Sequence, residues 1–216
     1  MRAMAIVVAT LGLVALVTRP SRAACPESCI SRAWTQMHCS SSSQMDTTSY
    51  ANGCTDRIAY DLSVGTATLE HYGGFSTCGE SVSLEDSFVM LSSTSGAVPI
   101  EFVLTIDYHV GSAGVGATLE IEGLTAATWS LEPLPDDGPV ESATQIAVQA
   151  NMTPGVPTLV RYTLGAGGSE GIATLVASLS VSGLPAGAHL TSCQGFSVGT
   201  VQLRAGTWGR VKALYR

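Results

Sequence analysis

From about residue 56 to residue 182, apolar side chains recur at every second position. Ile58, Tyr60 and Leu62 open the series. Ile100, Phe102, Leu104, Ile106 and Tyr108 follow, set against Glu101, Val103, Thr105 and Asp107. Leu119 and Ile121, Ile146 and Val148, Leu159 to Leu164, and Leu175 to Val181 repeat the pattern, and Val198, Val201 and Leu203 suggest a last short strand. A period of two is what a strand needs when one face meets a core and the other meets water. Turn chemistry separates the runs: Ser95-Gly96, Gly111 to Gly114, Pro135-Asp136-Asp137-Gly138-Pro139, Thr153-Pro154-Gly155 and Gly165 to Gly168. Roughly eight to ten antiparallel strands in two packed sheets are predicted, with a closed barrel as the alternative. No amphipathic helix stands between the runs, which argues against a parallel β/α fold.

The chain starts quite differently. Met1 and Arg2 precede an uncharged apolar run from Ala3 to Val17, and Pro20, Ser21, Arg22, Ala23 and Ala24 lead to Cys25. This has the three parts of a secretory signal peptide, with cleavage expected near Ala23. The run is shorter than the roughly 20 residues a spanning helix needs, and no later run is long enough to span a membrane. Lipidation at Cys25 is the rival reading. Arg22 disfavours it, because an aliphatic residue is usual three places before such a cysteine. Removing residues 1–23 leaves 193 of the 216 residues, ample for one packed domain.

All six cysteines (Cys25, Cys29, Cys39, Cys54, Cys78 and Cys193) survive that cleavage. An even count in an exported chain predicts disulfides, with more pairings possible than sequence can choose among. Residues 24–55 are rich in cysteine and serine and read as a disulfide-held loop region. If the four cysteines there pair locally, Cys78–Cys193 remains as the long-range bond. Zinc is the weaker reading, since the spacings do not form paired short knuckles.

The expected domain, residues 56–203, and its lead-in from residue 24 hold three arginines against all seventeen acids, a net of −14. A body this acidic excludes nucleic acid as a natural partner. Residues 204–216 are instead basic and aromatic, and they form a separable tail.

Two stretches resemble known families. The run Asp86 to Phe196 resembles a secreted bacterial β-sandwich domain with no assigned function. The features that carry this are the strand pair from Ser87-Phe88 to Val110, the turn Pro154-Gly155-Val156-Pro157, and Ser182-Gly183-Leu184-Pro185-Ala186-Gly187 leading to Ser192-Cys193-Gln194-Gly195-Phe196. The resemblance implies a sandwich and no activity. The tail Thr207-Trp208-Gly209-Arg210-Val211-Lys212-Ala213-Leu214-Tyr215-Arg216 is similar to short endings shared by different exported bacterial proteins. That likeness implies sorting machinery as a partner. Packing of the tail on the sandwich is the other reading.

No catalytic constellation is visible. Glu101 with Asp107, and Glu120 with Glu122, share strand faces, but alternating acids usually mark a solvated face. His38, His71, His109 and His189 are scattered, and no Gly-x-Ser-x-Gly elbow occurs. Glu132, Asp136, Asp137 and Glu141 supply clustered oxygens for calcium without the Asp-x-Asp-x-Asp-Gly pattern, so a solvated loop is the plainer reading. Trp129 next to that loop is the candidate for stacking on a sugar ring, although burial is the commoner fate of tryptophan. The sequence therefore predicts a secreted, non-enzymatic protein without a cofactor. Its role is structural, adhesive or surface-associated. The alternative is an extracellular module that binds carbohydrate or another ligand, and a hydrolase is the remotest reading.

Overall fold

Alternating burial organises every long strand. In the computed structural model, Val82, Leu84, Phe88 and Met90 point inward, while Ser81, Ser83, Glu85 and Ser87 between them are partly exposed. The structure describes residues 28–32, 36–40, 43–49, 53–73, 78–122, 126–132, 138–168 and 171–198. The expectations for residues 1–23 and for the tail at 204–216 lie outside the described residues.

Fourteen strands are described: β1 (Ser28–Arg32), β2 (Gln36–Ser40), β3 (Ser43–Ser49), β4 (Thr55–Asp61), β5 (Thr66–Tyr72), β6 (Cys78–Leu91), β7 (Val98–Gly111), β8 (Gly114–Ile121), β9 (Ala127–Leu131), β10 (Val140–Met152), β11 (Thr158–Gly168), β12 (Ile172–Ser182), β13 (His189–Ser192) and β14 (Ser197–Val198). They form two antiparallel sheets. One runs β14-β13-β6-β11-β8-β9, with β1 also on β6 and β2 on β1; the other runs β10-β7-β12-β5-β4-β3. We call them sheets A and B.

The pairing is nested. Strand β5 pairs with β12, β6 with β11, β7 with β10 and β8 with β9. Eight strands paired in this way make one long hairpin folded across itself, which is a jelly roll. The two-sheet sandwich predicted from periodicity is therefore present, with more strands than expected. The excess comes largely from residues 28–49, predicted as loops, where β1, β2 and β3 form. These strands join the edges of the sheets, where backbone pairing suffices and no apolar alternation announces them.

The inner faces of both sheets supply one core. Phe88 of sheet A lies at its centre, edge-on to Phe102 of sheet B (ring centroids 5.4 Å apart) and to Phe196 (5.5 Å). The β4–β5 turn accommodates Phe196 because residue 65 is glycine. Its φ is +70°, and a Cβ there would lie 2.8 Å from the Phe196 ring.

A disulfide joins Cys54, just before β4, to Cys78 at the start of β6, so it staples sheet B to sheet A. This corrects the expected Cys78–Cys193 bond. Cys193 donates its backbone N–H to the Ser87 carbonyl, nine residues along β6 from Cys78. At about 3.4 Å per residue that is about 30 Å, far beyond disulfide reach. Cys193 is itself disulfide-bonded. The backbones of Cys29 and Cys39 lie directly opposite each other in the β1–β2 pair, and Cys25 lies outside the described residues. Replacing Cys54 and Cys78 together with alanine should lower stability by about 3 kcal/mol, the closure entropy of a loop of this length. Urea unfolding of the wild type and the double variant, both non-reduced, measures it.

Candidate functional site

The outer face of sheet A holds a groove of about 490 Å³ over β8, β9 and β11. Strand alternation builds it. Val115, Ala117 and Leu119 point into the core, which leaves Gly114, Gly116 and Thr118 on the outside. On β11, Tyr162 and Leu164 point in, leaving Thr163 and Gly165 outside. Register then aligns the outward residues in rows across the sheet. Thr163, Thr118 and Thr128 form one row, and Gly165, Gly116 and Ser130 form the next. The glycine row is the floor, and the threonines rise beside it. At Gly116 a Cβ would come within 3.3 Å of the Trp129 carbonyl, so the sheet is already tight there.

One row further along, Arg161 lies between two carboxylates. Its Nε donates to Glu85 at 2.5 Å and its Nη1 to Glu120 at 3.3 Å. The hydrogen bond to Glu85, with the nearby negative charges, holds the guanidinium pKa above its usual value. On sheet B, Arg57 sits 3.8 Å from Glu70. Arg57 and Arg161 are thus both held by carboxylates, and the rows over the groove present hydroxyls and glycine.

Titratable side chains in the interior include one group on β6, Glu80 and Asp86, and a second on β4 and β5. Asp86 is buried on β6, and its Oδ1 accepts the backbone N–H groups of Ser87 (2.8 Å) and Gln194 (3.1 Å). The Ser192 side chain also hydrogen-bonds to this carboxyl. Asp86 therefore anchors the turn at residues 192–196 to sheet A. Burial nevertheless outweighs these hydrogen bonds and raises its pKa to about 6. The phenol of Tyr162 is shifted upward by burial, and then by the charge of Asp86. The second group is a pair: His71 Nδ1 lies 2.5 Å from Asp56 Oδ1, both side chains fully buried on neighbouring β5 and β4. With no solvent access, the pair ties two strands together and has no route to a substrate.

The residues nominated from sequence do not converge. Glu101 and Asp107 lie on the outer face of β7 six residues apart, about 20 Å, well outside the separation of paired glycosidase carboxylates. Glu101 accepts a hydrogen bond from the Ser182 hydroxyl at 3.0 Å. Glu120 is held by Arg161, and Glu122 follows the end of β8. Glu132 borders the groove and Glu141 lies on β10 in the other sheet; Asp136 and Asp137 lie outside the described residues. Among the described residues, no three His, Cys, Asp or Glu side chains are grouped to hold a metal ion. Trp129 borders the groove, but its ring packs on Tyr108 with centroids 4.9 Å apart and joins the edge of the core. Sequence reading missed Thr118, Thr128 and Thr163. Their signal was present as the polar member of each alternation, but only cross-strand register shows that they form a row.

No family model matches the chain, and no curated protein matches it. Among solved structures, it is similar to the carbohydrate-binding module TmCBM61 in complex with beta-1,4-galactotriose. That likeness has 10% identity and a TM-score of 0.32, over 55% of this chain and 71% of that one. It is also similar to the enzymatically active domain of Bacteriophage CBA120 tailspike protein 4. There the identity is 13% and the TM-score 0.22, over 71% of this chain and 19% of that one. Likeness this slight carries no argument about this chain. The class rests on its own strand pairing: a disulfide-stapled, two-sheet antiparallel β-sandwich. Among the described residues, no helix is long and apolar enough to cross a membrane.

Proposed function

We propose that this chain is an extracellular, non-enzymatic contact module with a structural, adhesive or surface-associated role. The observation that carries the reading is the outer face of sheet A, where a glycine-floored groove is walled by hydroxyls and flanked by Arg161 held between Glu85 and Glu120. Hydroxyls and backbone edges make multiple weak contacts. Disulfides suit an oxidising exterior. Jelly rolls commonly serve as lectin and capsid domains, where contact is the function.

A second reading names the partner as a neutral polysaccharide strand lying in the groove, and the hydroxyl row favours it. Gly165→Val tests this reading. The backbone at position 165 is not left-handed, and a Cβ there meets only ordinary contacts beginning at 3.8 Å. The variant should fold normally while filling the groove. Retention on a panel of insoluble neutral polysaccharides is expected to fall at least about tenfold, the scale of one lost methylene-sized contact or more. Equal retention of wild type and variant, or no retention of either, would sink the polysaccharide reading. Trp129→Ala is the poorer test, because its ring supports the core.

A further inference from the structure

Strand β10 ends sheet B, paired along all thirteen residues with β7 and, among the described residues, with no strand on its other side. The other terminal strands are shorter: β3 has seven residues, β2 and β9 five each and β14 two. Exposed edges are ordinarily protected by lysine, proline, a bulge or shortness. The sequence Val-Glu-Ser-Ala-Thr-Gln-Ile-Ala-Val-Gln-Ala-Asn-Met contains no lysine, arginine, proline or glycine, and its register with β7 is unbroken. Glu141, at one end, is its lone charge.

We propose that β10 pairs antiparallel with β10 of a second copy of this chain, joining two B sheets into one of twelve strands. The sequence of β10 is compatible with itself under a two-fold axis through Ile146. That axis overlaps all thirteen residues and keeps each face in phase. Exposed Gln145 meets Ala147 of the partner subunit, and Glu141 meets Asn151 of the partner subunit, so no like charges oppose. Thr144, Ile146 and Val148 stay on the core side of the joined sheet. An acidic peptide partner would gain nothing here, because the strand offers no cation. The long-range repulsion between two acidic bodies is screened by salt, so the association should tighten as salt rises.

Light scattering after size exclusion, on the oxidised protein from about 5 to 200 μM, tests the proposal. The wild type should be a dimer whose dissociation constant falls with added salt. Q145E/A147E places like charges against each other across the axis and should raise that constant at least about tenfold. Q145E/A147K instead sets a carboxylate at position 145 against an ammonium at position 147 of the second copy, and the dimer should return. Both positions are exposed, and circular dichroism checks that each variant keeps its β-structure. A wild type that stays monomeric throughout, or a dimer indifferent to Q145E/A147E, overturns the proposal.

Discussion

Phe88→Ala should lower the stability of the folded chain by about 4 kcal/mol. Phe88 is 1% exposed, and its ring meets Phe102 from the facing sheet and Phe196 from the turn after β13. Truncation removes its burial and leaves a cavity that three separate elements would have to close. Two edge-to-face ring contacts disappear with it. Because Phe102 and Phe196 are held by different parts of the fold, neither can collapse inward without moving its own strand or turn. For a chain of this size the urea midpoint should fall by about 2 M. Phe88→Leu retains most of the volume and should lose less than half as much. If Phe88→Ala lowers stability by less than about 1 kcal/mol, the two sheets do not share the core described.

Asp86 should make the wild type less stable as pH rises from about 4 to about 6. Its folded pKa is about 6, above the unfolded value near 3.9. Between these values the folded chain holds a proton that the unfolded chain has released, so raising the pH favours unfolding. The contribution is complete below the unfolded value and gone above the folded one, at most about 3 kcal/mol across the window. Asp86→Asn keeps an oxygen for the Ser87 and Gln194 N–H groups but cannot ionise. The wild type minus variant difference in urea stability should therefore slope downward from pH 4 to 6 and flatten above it. Asp86→Ala strands those two donors, one of them buried, and should lose about 2 kcal/mol even at pH 5. A flat difference curve would mean that the carboxyl is solvated in the folded protein.

The period-two alternation made β4, β6, β7, β8, β10, β11 and β12 legible in the sequence, because each has one face in the core. β1, β2, β3, β9 and β13 were not legible. They are short strands without a long apolar alternation, and two of them, β1 and β13, are fixed by β6, which is distant in sequence. The candidate site was less legible still. Trp129 drew attention as an aromatic residue beside an acidic loop, yet Tyr108 on β7 holds its ring, a contact that sequence spacing cannot show. The threonine row over the groove unites β8, β9 and β11, and no local pattern links Thr118 to Thr163. The cysteine pairing failed for the same reason. Cys78 begins β6 and Cys193 lies beside Ser87 of the same strand, about 30 Å along it.

The nested pairing of β5 with β12 also sets how the chain reaches its fold. Ile172 lies against Tyr72, so that single strand pair closes a loop of about a hundred residues. Every inner pair closes a shorter one, down to β8 with β9. A topology so dominated by distant contacts folds in milliseconds to seconds, not microseconds. The ordering of loop lengths implies zippering from β8–β9 outward, with β5 and β12 meeting last. The Cys54–Cys78 crosslink joins the approach to β4, which lies outside this nest, to the head of β6 within it. Once formed, it holds the two sheets near each other while the long closure is still being searched.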